Sequence, residues 1–257
     1  MNYLLKAHQF LLSLLQEGAI LGEYGAIYTE KKELLDKITR EFSIKQGSTW
    51  KQEKDWSLKD IFPERYRKQR LMIDEVFIPL LNKDQVVADL ACANGEWSIY
   101  VADYVKHLDG YEFSKKMVKT AKRKAKDTQK YNISIYHADA REVNYPRQYD
   151  NFMMLGLLTC ILDPADVKTI LNKVSSALRA GGYLVTKDTL NTMGKDVIYL
   201  YNSGTGYQAA YYSPKVYYGI FNDAGFELEY EALLDEVERD GIKVISRAAL
   251  WHKREDT

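Results

Sequence analysis

From Val86 onward, short apolar runs alternate with stretches of helical periodicity, and this alternation limits the fold more tightly than anything else in the sequence. The runs are Val86 to Ala91, His107 to Phe113, Ile133 to His137, Asp150 to Leu155 and Tyr183 to Lys187. Helical segments lie between them near Glu96 to Tyr104, Ser114 to Asp127 and Ala165 to Leu178. Strands separated by helices pair in parallel through right-handed crossovers, with helices on both faces of the sheet. A further helix opens at Ser213-Pro214 and stops at Ala224-Gly225, where glycine suits a left-handed C′ position. The last two runs, Phe226 to Val237 and Ile242 to His252, flank Asp240-Gly241, a pair made for a hairpin turn with positive φ at both positions. The expected fold is therefore α/β: a seven-stranded, mostly parallel sheet ending in an antiparallel C-terminal hairpin.

The first sixty residues read differently. Apolar residues recur at helical spacing from Tyr3 to Leu15 and from Lys31 to Phe42 (Leu34, Leu35, Ile38, Phe42), which predicts two helices and carries no strand signal. A polar stretch from Ser43 to Asp60 holds Trp50 and Trp56, and Pro63 then opens a third helix with Leu71, Val76, Phe77 and Leu80 on its face. Residues 1–62 are expected to form an N-terminal helical appendage and residues 63–257 the α/β domain. The run from Leu4 to Leu15 is broken by Lys6, His8 and Gln9, falls short of the roughly 18 apolar residues of a membrane span, and lacks a small-residue cleavage site. An amphipathic helix is expected there, with no membrane span.

Charge and cysteine content narrow the partners. Thirty-six basic and 36 acidic residues give no net charge, which disfavours a polyanion as the main partner. The lysines that follow Ser114 (Lys115, Lys116, Lys119, Lys122) read as a solvated helix face rather than a nucleic-acid track. Cys92 and Cys160 fit no metal-ligand spacing, so no metal is expected and the chain reads as a reduced, cytoplasmic product.

The chemistry gathers at strand ends. The first strand runs into Asp89-Leu90-Ala91-Cys92-Ala93-Asn94-Gly95, and small residues at 91, 93 and 95 let a ligand approach the backbone where strand becomes helix. A dinucleotide fingerprint would need a third glycine at position 96, where this chain has Glu96, and a carboxylate repels a pyrophosphate. No Lys-Ser/Thr pair follows, so a P-loop is also disfavoured. The position suits a cofactor without phosphates.

These residues, with Gly110-Tyr111-Glu112-Phe113-Ser114, His137-Ala138-Asp139-Ala140, Leu155-Gly156-Leu157 and Leu178 to Leu184, resemble the class I S-adenosylmethionine-dependent methyltransferases across roughly residues 64–252. The resemblance implies the class I methyltransferase fold, S-adenosyl-L-methionine as cofactor and S-adenosyl-L-homocysteine as product. It implies that Asp89 and the Ala91 to Gly95 backbone hold the methionine part, that Glu112 accepts both ribose hydroxyls, and that Asp139 receives the adenine amino group. Phe113 and Ala140 would flank the purine, with Gly156 and Leu157 near the sulfonium. Ala91 and Ala93 depart from the family's glycines, and alanine takes negative φ or bears strain. Each acid also has a plainer role open to it: Asp89 as a helix cap, Glu112 and Asp139 as solvated loop acids.

On the acceptor side, the connection from Lys187 to Tyr218 concentrates Tyr199, Tyr201, Tyr207, Tyr211 and Tyr212, with Gly204 and Gly206 giving it mobility. Hydroxyl-tipped rings suit the wall of a site for a small hydroxylated molecule or glycan, and suit core packing or a partner interface as well. Asp188, just past the fifth strand, is the candidate base, with Tyr211 or Tyr212 as orienting groups. Arg67 or Arg70, on the third helix, is the candidate partner for the cofactor carboxylate. The expected activity is methyl transfer to a hydroxyl, with an amine acceptor ranked second, residues 1–62 serving as a substrate cap and a homodimer left open. A non-catalytic interaction module and, further behind, a nicotinamide-dependent oxidoreductase are the competing readings.

Overall fold

A computed structural model describes residues 2–41 and 62–254. Phe42 and the polar stretch with Trp50 and Trp56 lie outside the described residues. In chain order the elements are α1 (Asn2–Gln16), β1 (Ile20–Leu21), β2 (Ala26–Thr29), α2 (Lys32–Glu41), α3 (Pro63–Met72), β3 (Val86–Leu90), α4 (Glu96–Val101), β4 (His107–Glu112), α5 (Lys115–Asp127), β5 (Ile133–His137), β6 (Tyr149–Leu155), α6 (Pro164–Ala177), β7 (Leu178–Asn191), β8 (Val197–Asn202), β9 (Gln208–Tyr212), α7 (Pro214–Asp223), β10 (Phe226–Arg239) and β11 (Ile242–Lys253).

Seven strands form the main sheet in the order β10-β11-β7-β6-β3-β4-β5. The pairs β3/β4, β4/β5, β3/β6 and β6/β7 are parallel, whereas β11 runs antiparallel to both β7 and β10. The chain steps outward from β3 through β4 to β5, then returns to lay β6 on the other side of β3. That reversal opens a crevice above the carboxyl ends of β3, β4 and β6, where open α/β sheets bind ligands.

Both faces of the sheet are covered, so its strands read as apolar runs rather than alternating ones. Ala88, Leu90, Phe152, Met154 and Leu184 pack with Val167, Ile170 and Val174 of α6 and Phe221 of α7. On the opposite face Val87, Leu108, Met153 and Val185 meet Met72, Ile73 and Phe77. Fully burying each such side chain contributes about 1.5–3 kcal/mol. Trp251 is buried against Phe221, with ring centroids 4.1 Å apart. The Asp240-Gly241 turn has φ of 55° and 76° and places Arg239 opposite Ile242, a two-residue hairpin as its sequence predicts.

Two expectations fail. The first forty residues contain strands β1 and β2 beside their two helices, and the tyrosine-rich segment is not a mobile connection but the hairpin β8/β9. Together they form a second, antiparallel sheet, β1-β2-β8-β9, with Ala26 to Thr29 registered on Tyr199 to Asn202. One face of this sheet carries Ile27, Tyr199, Tyr201, Ala210 and Tyr212 into the main core. The other gathers Ala26, Tyr28, Ile198, Leu200 and Ala209 around Ile242, with Tyr207 and Tyr211 packed against them. Because both faces are buried, the alternation that marks an exposed strand is missing. The fifth strand of the domain is also longer than expected: β11 extends its ladder to Asn191, pairing Arg247 with Asp188 and Val244 with Asn191.

Candidate functional site

The turn after β3 places three of its residues in the left-handed region: Ala91 at φ 66°, Ala93 at 49° and Gly95 at 79°. Alanine bears roughly 1–2 kcal/mol of strain there, and such strain persists only where the surroundings hold it. The hold comes from β4. Ala91 and Cys92 both donate to the Tyr111 carbonyl, at 2.8 and 3.1 Å, and Ala93 donates to Glu112 Oε2 at 3.0 Å. At Gly95 a side chain is excluded outright, since a Cβ would stand 2.9 Å from that of Ala121 on α5.

Two carboxylates face this turn from adjoining strands. Asp89 is 2% exposed and accepts the Ser98 hydroxyl. Burial, with the nearby Glu112 charge adding to it, raises its pKa to about 7. Glu112 accepts Ser114 N–H at 2.7 Å as well as Ala93 N–H. Burial pushes its pKa up, while the backbone donors Ser114, Ala93 and Phe113 pull it back. Phe113 beside it is half exposed.

Past β5, the Asp139 carboxylate is paired with Arg141, which donates from its backbone at 2.9 Å and from Nε and Nη2 at 2.9 and 2.6 Å. Those bonds hold the Asp139 pKa below its ordinary value. Ala140 is buried next to it. Gly156, at φ 94°, ends β6 and leads through Leu157 into a single 3-10 turn, Leu158–Cys160.

The acceptor-side expectations need correcting. Asp188 lies inside β7, not past it, and is 2% exposed. Its Oδ1 accepts Thr159 N–H at 3.0 Å and the Thr159 hydroxyl at 3.1 Å, and its Oδ2 accepts Tyr217 OH at 2.9 Å. Burial raises its pKa to about 6. Tyr217, not Tyr211 or Tyr212, orients it. Tyr212 OH donates to the Ile161 carbonyl at 3.1 Å, and Tyr211 packs on the opposite face of the second sheet. Sequence reasoning passed over Tyr217 because it read as one more residue of the tyrosine run.

On α3, Arg67 is paired with Glu64. Arg70 is paired with Asp74 at 2.8 Å and lies 3.6 Å above the Tyr100 ring. Tyr66, one turn earlier, packs on Trp97 at 5.3 Å and hydrogen-bonds Glu96 at the start of α4, a role that no motif signalled.

A strained turn between two carboxylates, at the crevice of a sheet in this strand order, is the arrangement against which known proteins can be compared. Residues 87–182 match the family model described as a methyltransferase domain. Over that span the chain is similar to a methyltransferase domain. Demethylmenaquinone methyltransferase of Listeria welshimeri serovar 6b is 26% identical over 128 residues, which is 49% of this chain and 51% of that protein. The chain thus spans about half the length of the curated relatives it matches. A SAM-dependent methyltransferase from Methanosarcina mazei superposes with a TM-score of 0.59 at 17% identity, covering 70% of this chain and 98% of that one. An S-adenosylmethionine-dependent methyltransferase from Clostridium acetobutylicum has a TM-score of 0.59 at 15% identity, covering 77% and 97%. These two structures share the overall fold of this chain. No helix among the described residues is long and apolar enough to cross a membrane.

Proposed function

We propose that this chain is an S-adenosylmethionine-dependent methyltransferase that passes a methyl group to a hydroxyl of a small molecule or glycan, an amine being the second choice of acceptor. The observation that carries the reading is the pair of carboxylates, Asp89 and Glu112, around a turn that has no lysine or arginine between residues 89 and 96. Acids without a cation suit a positively charged cofactor that lacks phosphates.

The remaining lone pairs fit as well. A carboxylate offers about four acceptor sites. Glu112 spends up to three on the backbone N–H groups of Ala93, Ser114 and Phe113, which leaves at least one for a ribose diol. Asp139 spends three on Arg141, which leaves one for an adenine amine. In this reading Asp89 and the Ala91 to Gly95 backbone hold the methionine end, Phe113 and Ala140 flank the purine, and Gly156 and Leu157 border the sulfonium. Arg70 exchanges Asp74 for the cofactor carboxylate.

When bound, S-adenosylmethionine supplies a methyl group on a sulfonium, open to in-line displacement, and becomes S-adenosylhomocysteine. The protein's part is to hold the acceptor in line and exclude water. Asp188 serves as a positioning residue, clamping Thr159 in the turn that follows β6. Residues 1–62 act as a cap, with β1 and β2 extending the sheet that carries Tyr211 and against which Tyr207 packs. The likeness to proteins named demethylmenaquinone methyltransferase supports methyl transfer. The alanines support a working turn, since it keeps its left-handed form against their preference.

Saturating S-adenosylhomocysteine tests the reading. At a hundred times its dissociation constant it stabilises the fold by about 2.7 kcal/mol, a rise in Tm of roughly 5–10 °C for a chain of this size. No shift with either form of the cofactor overturns the proposal.

A further inference from the structure

Among the described residues, Lys187 is a partly buried cation without a hydrogen-bond or ion-pair partner. Strand alternation turns it to the sheet face opposite Asp188. Its register neighbours are Leu155, one residue before the Gly156 turn, and Ala248 of β11. Arg65, the arginine whose charge acts on it, is engaged with Asp235 at 2.6 Å. Among the described residues, no carboxylate or carbonyl hydrogen-bonds the Lys187 ammonium.

The groups that act on the Lys187 charge are Asp188, Arg65 and Cys160. Cys160, Asp188 and Arg65 also act on Tyr207, and Cys160 and Arg65 on Tyr211. Cys160 in turn feels Glu112. Lys187 stands beside Leu155 at the carboxyl end of β6, next to the Gly156 turn that borders the crevice. Burial draws its pKa downward. A partly buried ammonium that no carboxylate hydrogen-bonds among the described residues is costly, and a protein retains one where a ligand completes it.

Resting on the methyltransferase reading, we propose that Lys187, backed by Arg65, is the contact for an acidic oxygen of the acceptor, so that the substrate is bound as its anion. The oxygen is that of a carboxylic acid or of an ionised phenol or enol. Where that oxygen is itself the methyl acceptor, it has already lost its proton, and no base has to reach it at the moment of transfer.

The test uses the full chain saturated with S-adenosylhomocysteine and two probes, benzoate for a carboxylate and 4-nitrophenol for a phenol. Wild-type protein is expected to bind at least one of them, and bound 4-nitrophenol is expected to show its phenolate absorbance at a lower pH than in buffer. Lys187→Met should weaken probe binding by about tenfold or more, leave S-adenosylhomocysteine affinity unchanged and raise Tm. Lys187→Arg should restore the binding. Lysine-dependent binding of benzoate alone assigns a carboxylic acid, and of 4-nitrophenol alone a phenol or enol. Equal probe binding by wild type and Lys187→Met, no binding by either, or a lower Tm in Lys187→Met overturns the inference while leaving the cofactor reading intact. Absence of S-adenosylhomocysteine binding overturns that underlying reading instead.

Discussion

Ala93 donates its backbone N–H to Glu112 Oε2 at 3.0 Å, and this bond ties the turn after β3 to the end of the neighbouring strand. One side chain thereby holds a strained loop and keeps at least one lone pair free for a ligand. Loop geometry and cofactor affinity are linked through it.

Glu112→Ala removes both functions. Each hydrogen bond to a charged acceptor is worth about 1.5–3 kcal/mol, so each ribose contact corresponds to a loss of at least about tenfold in S-adenosylhomocysteine affinity by calorimetry. Glu112→Gln keeps one carbonyl acceptor and should fall between. Wild-type affinity in Glu112→Ala would sink the ribose assignment.

Ala91 and Ala93 bear left-handed strain that glycine lacks. Relief of about 1–2 kcal/mol is offset by the about 0.4–1 kcal/mol that glycine adds to unfolded-chain entropy. Ala91→Gly should therefore unfold at a slightly higher temperature than wild type, and Ala91→Val well below it. A marked loss of stability in Ala91→Gly would mean that the loop is not strained.

Stability should decline as pH rises from about 4 to about 7. Asp89 and Asp188, with pKa values raised to about 7 and about 6, bind protons more tightly folded than unfolded. Their contribution is complete below the unfolded value near 4 and is lost as pH passes through the folded values. Asp89→Asn should flatten the slope between pH 5 and 7 in denaturant titrations. Bound S-adenosylmethionine, being cationic, should favour ionised Asp89 and release protons on binding, measurable as a dependence of binding enthalpy on buffer.

Tyr217→Phe deletes the hydroxyl that Asp188 Oδ2 accepts at 2.9 Å. Since that bond favours the ionised carboxylate, its loss should cost about 1–3 kcal/mol at pH 8 and less at pH 5, where the carboxyl is protonated. An equal cost at both pH values would place the effect in ring packing.

The sequence already contained the sheet, its helices and the turn, because each rests on local signals. Apolar runs broken by helices, Gly95 before α4, Ser114 and Asp163 as helix caps and Asp240-Gly241 between the last strands all act within a few residues. The acids at positions 89, 112 and 139 were legible for a related reason, since parallel pairing brings the ends of β3, β4 and β5 to one edge.

What the sequence by itself determined, then, is the α/β layering and the line of carboxylates at the strand ends, both consequences of short-range periodicity. Only the tertiary structure decided the second sheet, the enclosure of Asp188 by Thr159 and Tyr217, the pairing of Asp139 with Arg141 and, among the described residues, the lack of a hydrogen-bonded acid at Lys187. Each of these depends on which distant surfaces cover which side chains. Burial from both sides erased the alternation of β8 and β9, and the strength or lack of a hydrogen-bonded counter-charge is set by which side chains the fold brings together.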